Sequence, residues 1–121
     1  MKKVILLVDE DTTFSKLAQT ILEKEGFEVE TETSSIRALG MFCVDPFWYD
    51  LIIADHRTLD LTGLVFLDIV VKKRPDTPII LVADVEKSIG SETLSTNYRW
   101  LLTKPITGNE LTKAVSSALS A

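Results

Sequence analysis

One cysteine, one histidine, four prolines and five glycines are all this 121-residue chain has of the residues that staple, ligate or interrupt a fold. The single thiol, Cys43, excludes an internal disulfide, suits a reducing cytoplasm and reads as a small buried hydrophobe rather than a redox group. A formal charge of −5, from 13 basic and 18 acidic residues with no basic stripe, excludes broad binding to nucleic acid or anionic membrane. Long apolar runs are also missing. Only five residues separate Lys3 from Asp9, too few for a signal peptide core or a membrane span. Glycine and proline fall singly, and 45% hydrophobic with 26% charged residues are globular values, which excludes disorder.

What is there is a repeated pattern, long enough for one domain, residues 1–121, that buries roughly two thirds of its unfolded surface. Apolar runs at 3–8, 51–54 and 79–83 are too short for helices and read as strands buried on both faces. Runs at 27–31 and 99–102 are more polar and read as edge strands. Between them lie helical stripes. Phe14, Leu17, Ala18, Ile21 and Leu22 make the first, capped by Asp11, Thr12 or Thr13 and ended by Gly26. Ile36, Leu39, Phe42 and Cys43 make the second, from a Ser34 or Ser35 cap to Asp45-Pro46. Leu64, Leu67, Val70 and Val71 make the third, which stops near Arg74-Pro75. Residues 86–97, with Gly90 and many Ser and Thr, specify a helix only poorly. Thr107 with Glu110 forms a capping box for the last, carrying Leu111, Ala114, Val115, Ala118 and Leu119. Five strands alternating with five helices imply a flavodoxin-like α/β three-layer sandwich. Its sheet is parallel, of order 2-1-3-4-5, with a crevice between strands one and three.

Strand ends facing that crevice supply Asp9, Glu10 and Asp55, and the fifth strand ends at Lys104-Pro105. Converging carboxylates repel and need a cation. Oxygen donors without a Cys or His cluster point to Mg²⁺. With a lysine beside them they suit phosphoryl transfer, and Asp55 can itself be the nucleophile, giving an acyl phosphate. Other polar and aromatic residues take structural readings: Asp60 a turn, Asp84 a cap or surface acid, His56 a solvated loop residue, Trp48 and Trp100 packing or edge residues, Tyr98 surface.

Asp9-Glu10 after strand one, Asp55 ending strand three and Lys104-Pro105 after strand five together resemble the receiver domain of bacterial two-component response regulators, across essentially the whole chain. The resemblance implies that Asp55 is the phosphoacceptor and that Lys104 contacts the phosphoryl group. It implies Mg²⁺ ligated directly by Glu10 and Asp55 and by the backbone carbonyl of Arg57, with Asp9 acting mainly through water. Gly63 matches the family's glycine eight positions after the acceptor. Pro105 matches its proline with a cis peptide, which would aim Lys104. The implied partners are a sensor histidine kinase or histidine phosphotransfer protein and a downstream effector, in the cytoplasm. The implied role is a signalling domain that catalyses its own phosphorylation and dephosphorylation, without a separate substrate. A homodimer through the last two strands and helices stays open.

The chain departs from that pattern where the family usually relays its signal. Ala83 replaces a Thr or Ser at the end of strand four, and a methyl group cannot hydrogen-bond a phosphoryl oxygen. Leu101 replaces the aromatic residue of strand five, while Trp100 falls on the opposite face. Leu59 and Thr62 replace a proline and a commonly acidic residue. The expectation is an acceptor that still works, with output not carried by a Thr-aromatic rearrangement. Two rivals compete. One is a phosphorylation-independent docking or dimerisation module. The other is a haloacid-dehalogenase-like phosphatase, since Asp9-Glu10-Asp11-Thr12-Thr13 fits Asp-x-Asp-x-Thr with Asp9 as nucleophile and Asp11 as acid/base. That rival needs a later acidic metal motif and usually a longer chain. No effector domain fits after residue 121, so the expectation is a single-domain regulator or a piece of a longer one.

Overall fold

Unbroken Val, Ile and Leu can be satisfied only where both faces of a strand are covered, and that condition sets the centre of this molecule. The computed structural model describes residues 1–56, 61–84 and 100–120, with side chains at all of these except 61–64 and 84. The strands are β1 (Val4–Val8), β2 (Glu28–Glu32), β3 (Leu51–Asp55), β4 (Ile79–Asp84) and β5 (Trp100–Lys104). They form one parallel sheet of order β2-β1-β3-β4-β5, as the sequence implies, with the two most polar runs at its edges. The helices are α1 (Thr12–Lys24), α2 (Ser35–Val44), α3 (Leu61–Lys73) and α4 (Gly108–Ser120).

The five-helix expectation is thereby corrected: the described residues contain four helices. The helix expected over 86–97 lies outside the described residues, in the stretch whose Gly90 and hydroxyl side chains specify helix most weakly.

Alternation along the strands sorts the core into two layers. Leu6, Val8, Ile52, Ala54, Ile79 and Leu81 pack with Ala38 and Phe42 of α2 and with Phe66, Leu67 and Val70 of α3. Ile5, Leu7, Leu51, Ile53, Ile80 and Val82 pack with Ala18 and Leu22 of α1 and with Leu111, Val115 and Ala118 of α4. Each fully buried Leu, Ile or Phe is worth about 1.5–3 kcal/mol of transfer free energy. Phe42 is central to the first layer, stacked 6.2 Å from Tyr49 and edge-on 6.4 Å from Phe66. Truncating it to Ala would cost about 3–5 kcal/mol.

Helix caps follow the sequence closely. Asp11 Oδ1 accepts from the N–H groups of Thr13 and Phe14, both at 3.1 Å. Ser34 caps α2, and Thr107 with Glu110 closes a reciprocal box. Gly26, at φ 96°, takes the left-handed turn after α1 that a side chain would resist. Burial phases were less legible. Leu17 is 57% and Ile36 65% exposed, while Ser15 and Ser35 are buried in their place. Cys43 is exposed, not buried, because the inward side of α2 runs through Ser35, Ala38 and Phe42. Phe66 is buried beside Leu67 although the α3 stripe omitted it.

Below the sheet, Glu30 of β2 accepts from Trp48 Nε1 at 2.8 Å and Tyr49 Oη at 2.7 Å. Burial, then the hydrogen bond and charge of Glu30, push the Tyr49 phenol above its ordinary range.

Candidate functional site

The same alternation that sorts the core continues past the strand ends. Ile5 and Leu7 face α1 and α4, so the next residue of that series is Asp9; Leu51 and Ile53 lead likewise to Asp55. In β5, Trp100 and Leu102 pack against this layer, and Lys104 is next in line. Three separate strands thus deliver two acids and a lysine to one spot.

There the Lys104 ammonium lies 2.9 Å from Asp55 Oδ2, 3.1 Å from Asp9 Oδ2 and 3.7 Å from Asp11 Oδ2. The side chains of Asp9 and Asp55 are 0% exposed and that of Lys104 13%. Asp9 is held further by accepting the Asp11 N–H at 2.8 Å, while its own N–H donates to the Glu32 carbonyl at 3.0 Å. The Lys104–Pro105 peptide is cis.

Among the described residues one ammonium faces these three carboxylates, two of them fully buried. The consequence is visible at Asp9. Burial lifts its pKa, and the Asp55 charge adds to the lift, although the Asp11 N–H and Lys104 oppose it. Lys104 is affected oppositely: burial disfavours its charge, but hydrogen bonds to Asp55 and Asp9 outweigh that and hold its pKa above the ordinary lysine value.

Buried anionic oxygen donors are the groups that a hard dication requires. Asp9 and Asp55 fit that requirement. Glu10 follows Asp9 directly but is exposed. Among the described residues no three His, Cys, Asp or Glu side chains converge as a metal-binding group. Arg57 lies outside the described residues, as do Leu59, Asp60 and Tyr98 and the side chains of Thr62 and Asp84.

The altered relay positions are placed as follows. Ala83 is buried in β4 and pairs with Thr103 of β5. Leu101 is 45% exposed on the face opposite Trp100. Gly63 falls in the first turn of α3, and His56, directly after β3, is half-buried.

Two neighbours of Lys104 were missed by sequence reasoning. The Phe14 ring centroid is 4.4 Å from Nζ, and Asp11 contributes a third carboxylate as well as its cap. Their signal was present: Phe14 is the first apolar residue after the acidic run, on the helix that leaves the site. The dehalogenase pattern in the same acids has a structural explanation, since Asp11 spends Oδ1 on capping α1.

Comparison with known proteins agrees with this geometry. The sequence model of the response regulator receiver domain matches residues 5–116. The transcriptional regulatory protein CpxR homolog of Haemophilus influenzae is 29% identical over 119 residues, 95% of this chain and 49% of its own length. The photosynthetic apparatus regulatory protein RegA of Cereibacter sphaeroides is 30% identical over 115 residues, 92% of this chain and 60% of its own. The chain therefore spans about half the length of these curated relatives. A response regulator receiver domain protein from Clostridium thermocellum superposes with a TM-score of 0.86 at 25% identity, covering 98% of this chain and 94% of that one. A CheY-like receiver from Methanospirillum hungatei gives 0.82 at 26% identity, covering 99% and 95%. With strand order, buried acids and family model in agreement, the chain belongs to the response regulator receiver domains of two-component signalling, which are signalling domains rather than enzymes turning over a separate substrate.

Proposed function

We propose that Asp55 accepts a phosphoryl group from a histidine kinase or histidine phosphotransfer protein and that this charge change is passed to a downstream partner by protein contact. The observation that carries the reading is the Asp55 carboxylate itself. It ends the central strand fully buried, 2.9 Å from Lys104 Nζ. An Asp55 oxygen attacks phosphorus, the new O–P bond forms, and the bond from phosphorus to the donor breaks with its electron pair leaving on the donor. Lys104 stays beside the acceptor and neutralises charge that develops on the phosphoryl oxygens.

Asp9, Glu10, Asp55 and the Arg57 carbonyl would hold Mg²⁺. Bound there, the ion supplies further charge neutralisation at the transferring group. Lys104 and Asp9 are positioned by this chain alone, through the contacts described. No helix among the described residues is long and apolar enough to cross a membrane. The lone Cys43 suits the cytoplasm, where such kinases present their phosphohistidine.

Intact-mass measurement after incubation with acetyl phosphate and Mg²⁺ tests the assignment. An adduct of about 80 Da is expected on the wild type and none on Asp55→Asn. No adduct under conditions that label an ordinary receiver would sink it. A phosphorylation-independent docking role is the second reading, favoured by the methyl group of Ala83 and by the exposed Leu101. Partner binding that survives Asp55→Asn unchanged would favour that module.

A further inference from the structure

The hydrogen bonds that hold the Lys104 ammonium do not all persist through a phosphoryl transfer. Asp9 and Asp55 hold the ammonium by directional charged hydrogen bonds, Asp11 only by a longer ion pair, and the shortest bond, to Asp55 Oδ2 at 2.9 Å, is made by the very group that changes chemistry. Once Asp55 carries a phosphoryl group, the ammonium must turn from a carboxylate oxygen to a phosphoryl oxygen. A contact that persists while it turns has to be attractive and non-directional.

Phe14 offers such a contact. Its ring lies 4.4 Å from Nζ, within cation–π range, and comes from the first turn of α1, which Asp11 caps beside the site. The ring is half-buried against the α1 and α4 layer, so its face is held in place by packing. An aromatic face attracts a cation over a broad area, whereas an aliphatic side chain of similar bulk offers only dispersion. The Lys104 stem springs from the last residue of β5, whose backbone is fixed by pairing with β4 through Asp84↔Lys104. Ring and stem therefore approach the ammonium from different elements, α1 and β5.

We propose that Phe14 is a positioning residue for Lys104: its ring seats the ammonium beside the acceptor while the hydrogen bonds to Asp55 are exchanged for those to the incoming phosphoryl group. The proposal rests on the phosphoacceptor reading of Asp55 and adds to it a group that touches neither phosphorus nor metal. It distinguishes an electrostatic seat from a packing role, because the two respond differently to ring fluorination. Fluorine drains the ring's negative face while leaving its shape nearly unchanged.

The test is the rate of Asp55 labelling by acetyl phosphate and Mg²⁺ across Phe14→Tyr, Phe14→Leu and a series with mono-, di- and trifluorophenylalanine at position 14. Phe14→Leu and the trifluoro ring should each slow labelling roughly 2- to 30-fold, the span of one cation–π contact. The partly fluorinated rings should fall in between, and Phe14→Tyr should retain the wild-type rate. A flat series, or a slow Phe14→Leu beside a trifluoro variant at the wild-type rate, overturns the proposal. If the wild type itself does not label, the acceptor reading has failed, and a second measurement decides the seat. In urea unfolding of Phe14→Leu, Lys104→Met and the double variant, a seat gives a coupling of roughly 2- to 30-fold in the unfolding constant. Simple additivity overturns it.

Discussion

The two ends of β3 solve the same problem in opposite ways. At its foot, the adjoining residues Trp48 and Tyr49 direct two neutral donors, at 2.8 and 2.7 Å, to the single carboxylate of Glu30. The acid's charge there is met by donors that carry none. At its head, Asp55 shares one ammonium with Asp9 and Asp11. Two of these acids, Asp9 and Asp55, are fully buried, and the contact they share is with a charged donor. A fold that needed polar groups only for specificity would finish both ends like the foot. The head instead gathers buried like charges, an arrangement that raises the pKa of Asp9.

The largest effect should come from removing the Lys104 cation at the head. Lys104→Met leaves the buried carboxylates of Asp9 and Asp55 without their shared ammonium and should lower stability at pH 7 by about 3 kcal/mol, read by urea unfolding. At the foot, Tyr49→Phe removes one donor while Trp48 still bonds Glu30, and the loss should be nearer 1 kcal/mol in the same measurement. Equal losses at the two ends would break the comparison.

Alkaline titration moves both ends in the same direction, and the variants separate their shares. The folded-state pKa of Lys104 lies above 10.5 and that of Tyr49 above 10.0, so each contributes stability present in full below those ordinary values. That stability is lost as pH rises through the folded values. The urea midpoint of the wild type should fall from about pH 10 upward. Tyr49→Phe should remove the foot's share of that slope and Lys104→Met the head's.

Acid titration gives the smallest and most diagnostic shift. The folded pKa of Asp9 is raised above 3.8, so its ionised form costs stability at neutral pH, and that cost is relieved as pH falls through the folded value. Wild type should therefore gain on Asp9→Asn as pH falls, followed by the difference in urea midpoints between pH 7 and 4. A difference that moves the other way would show that Lys104 fully compensates Asp9.

Much of the site was legible because strands have a period of two. Once residues 3–8 and 51–54 are strands of one parallel sheet, the ends of both runs must meet at one edge of it. Asp9, Asp55 and Lys104 then follow from chain order. Helices are harder to read, because a stripe of roughly 100° leaves the residues at its margins undecided. Leu17 and Ile36 sit at those margins and are exposed, whereas Ser15 and Ser35 were drawn inward by how α1 and α2 lie on the sheet. The partners of Glu30 were illegible for another reason: Trp48 and Tyr49 are 18 and 19 residues away, and no local pattern signals such a bond.

The sequence by itself determined the parallel α/β sheet, its strand order and the acids and lysine at the C-terminal ends of its strands, since apolar runs and periodicity constrain backbone and burial directly. Only the tertiary structure decided that Lys104 is caged by three carboxylates and the Phe14 ring, that Glu10 stands exposed, and that Cys43 faces solvent. Those outcomes depend on angles and distances between elements far apart in the chain, and side-chain electrostatics at 3–4 Å change with every one of them.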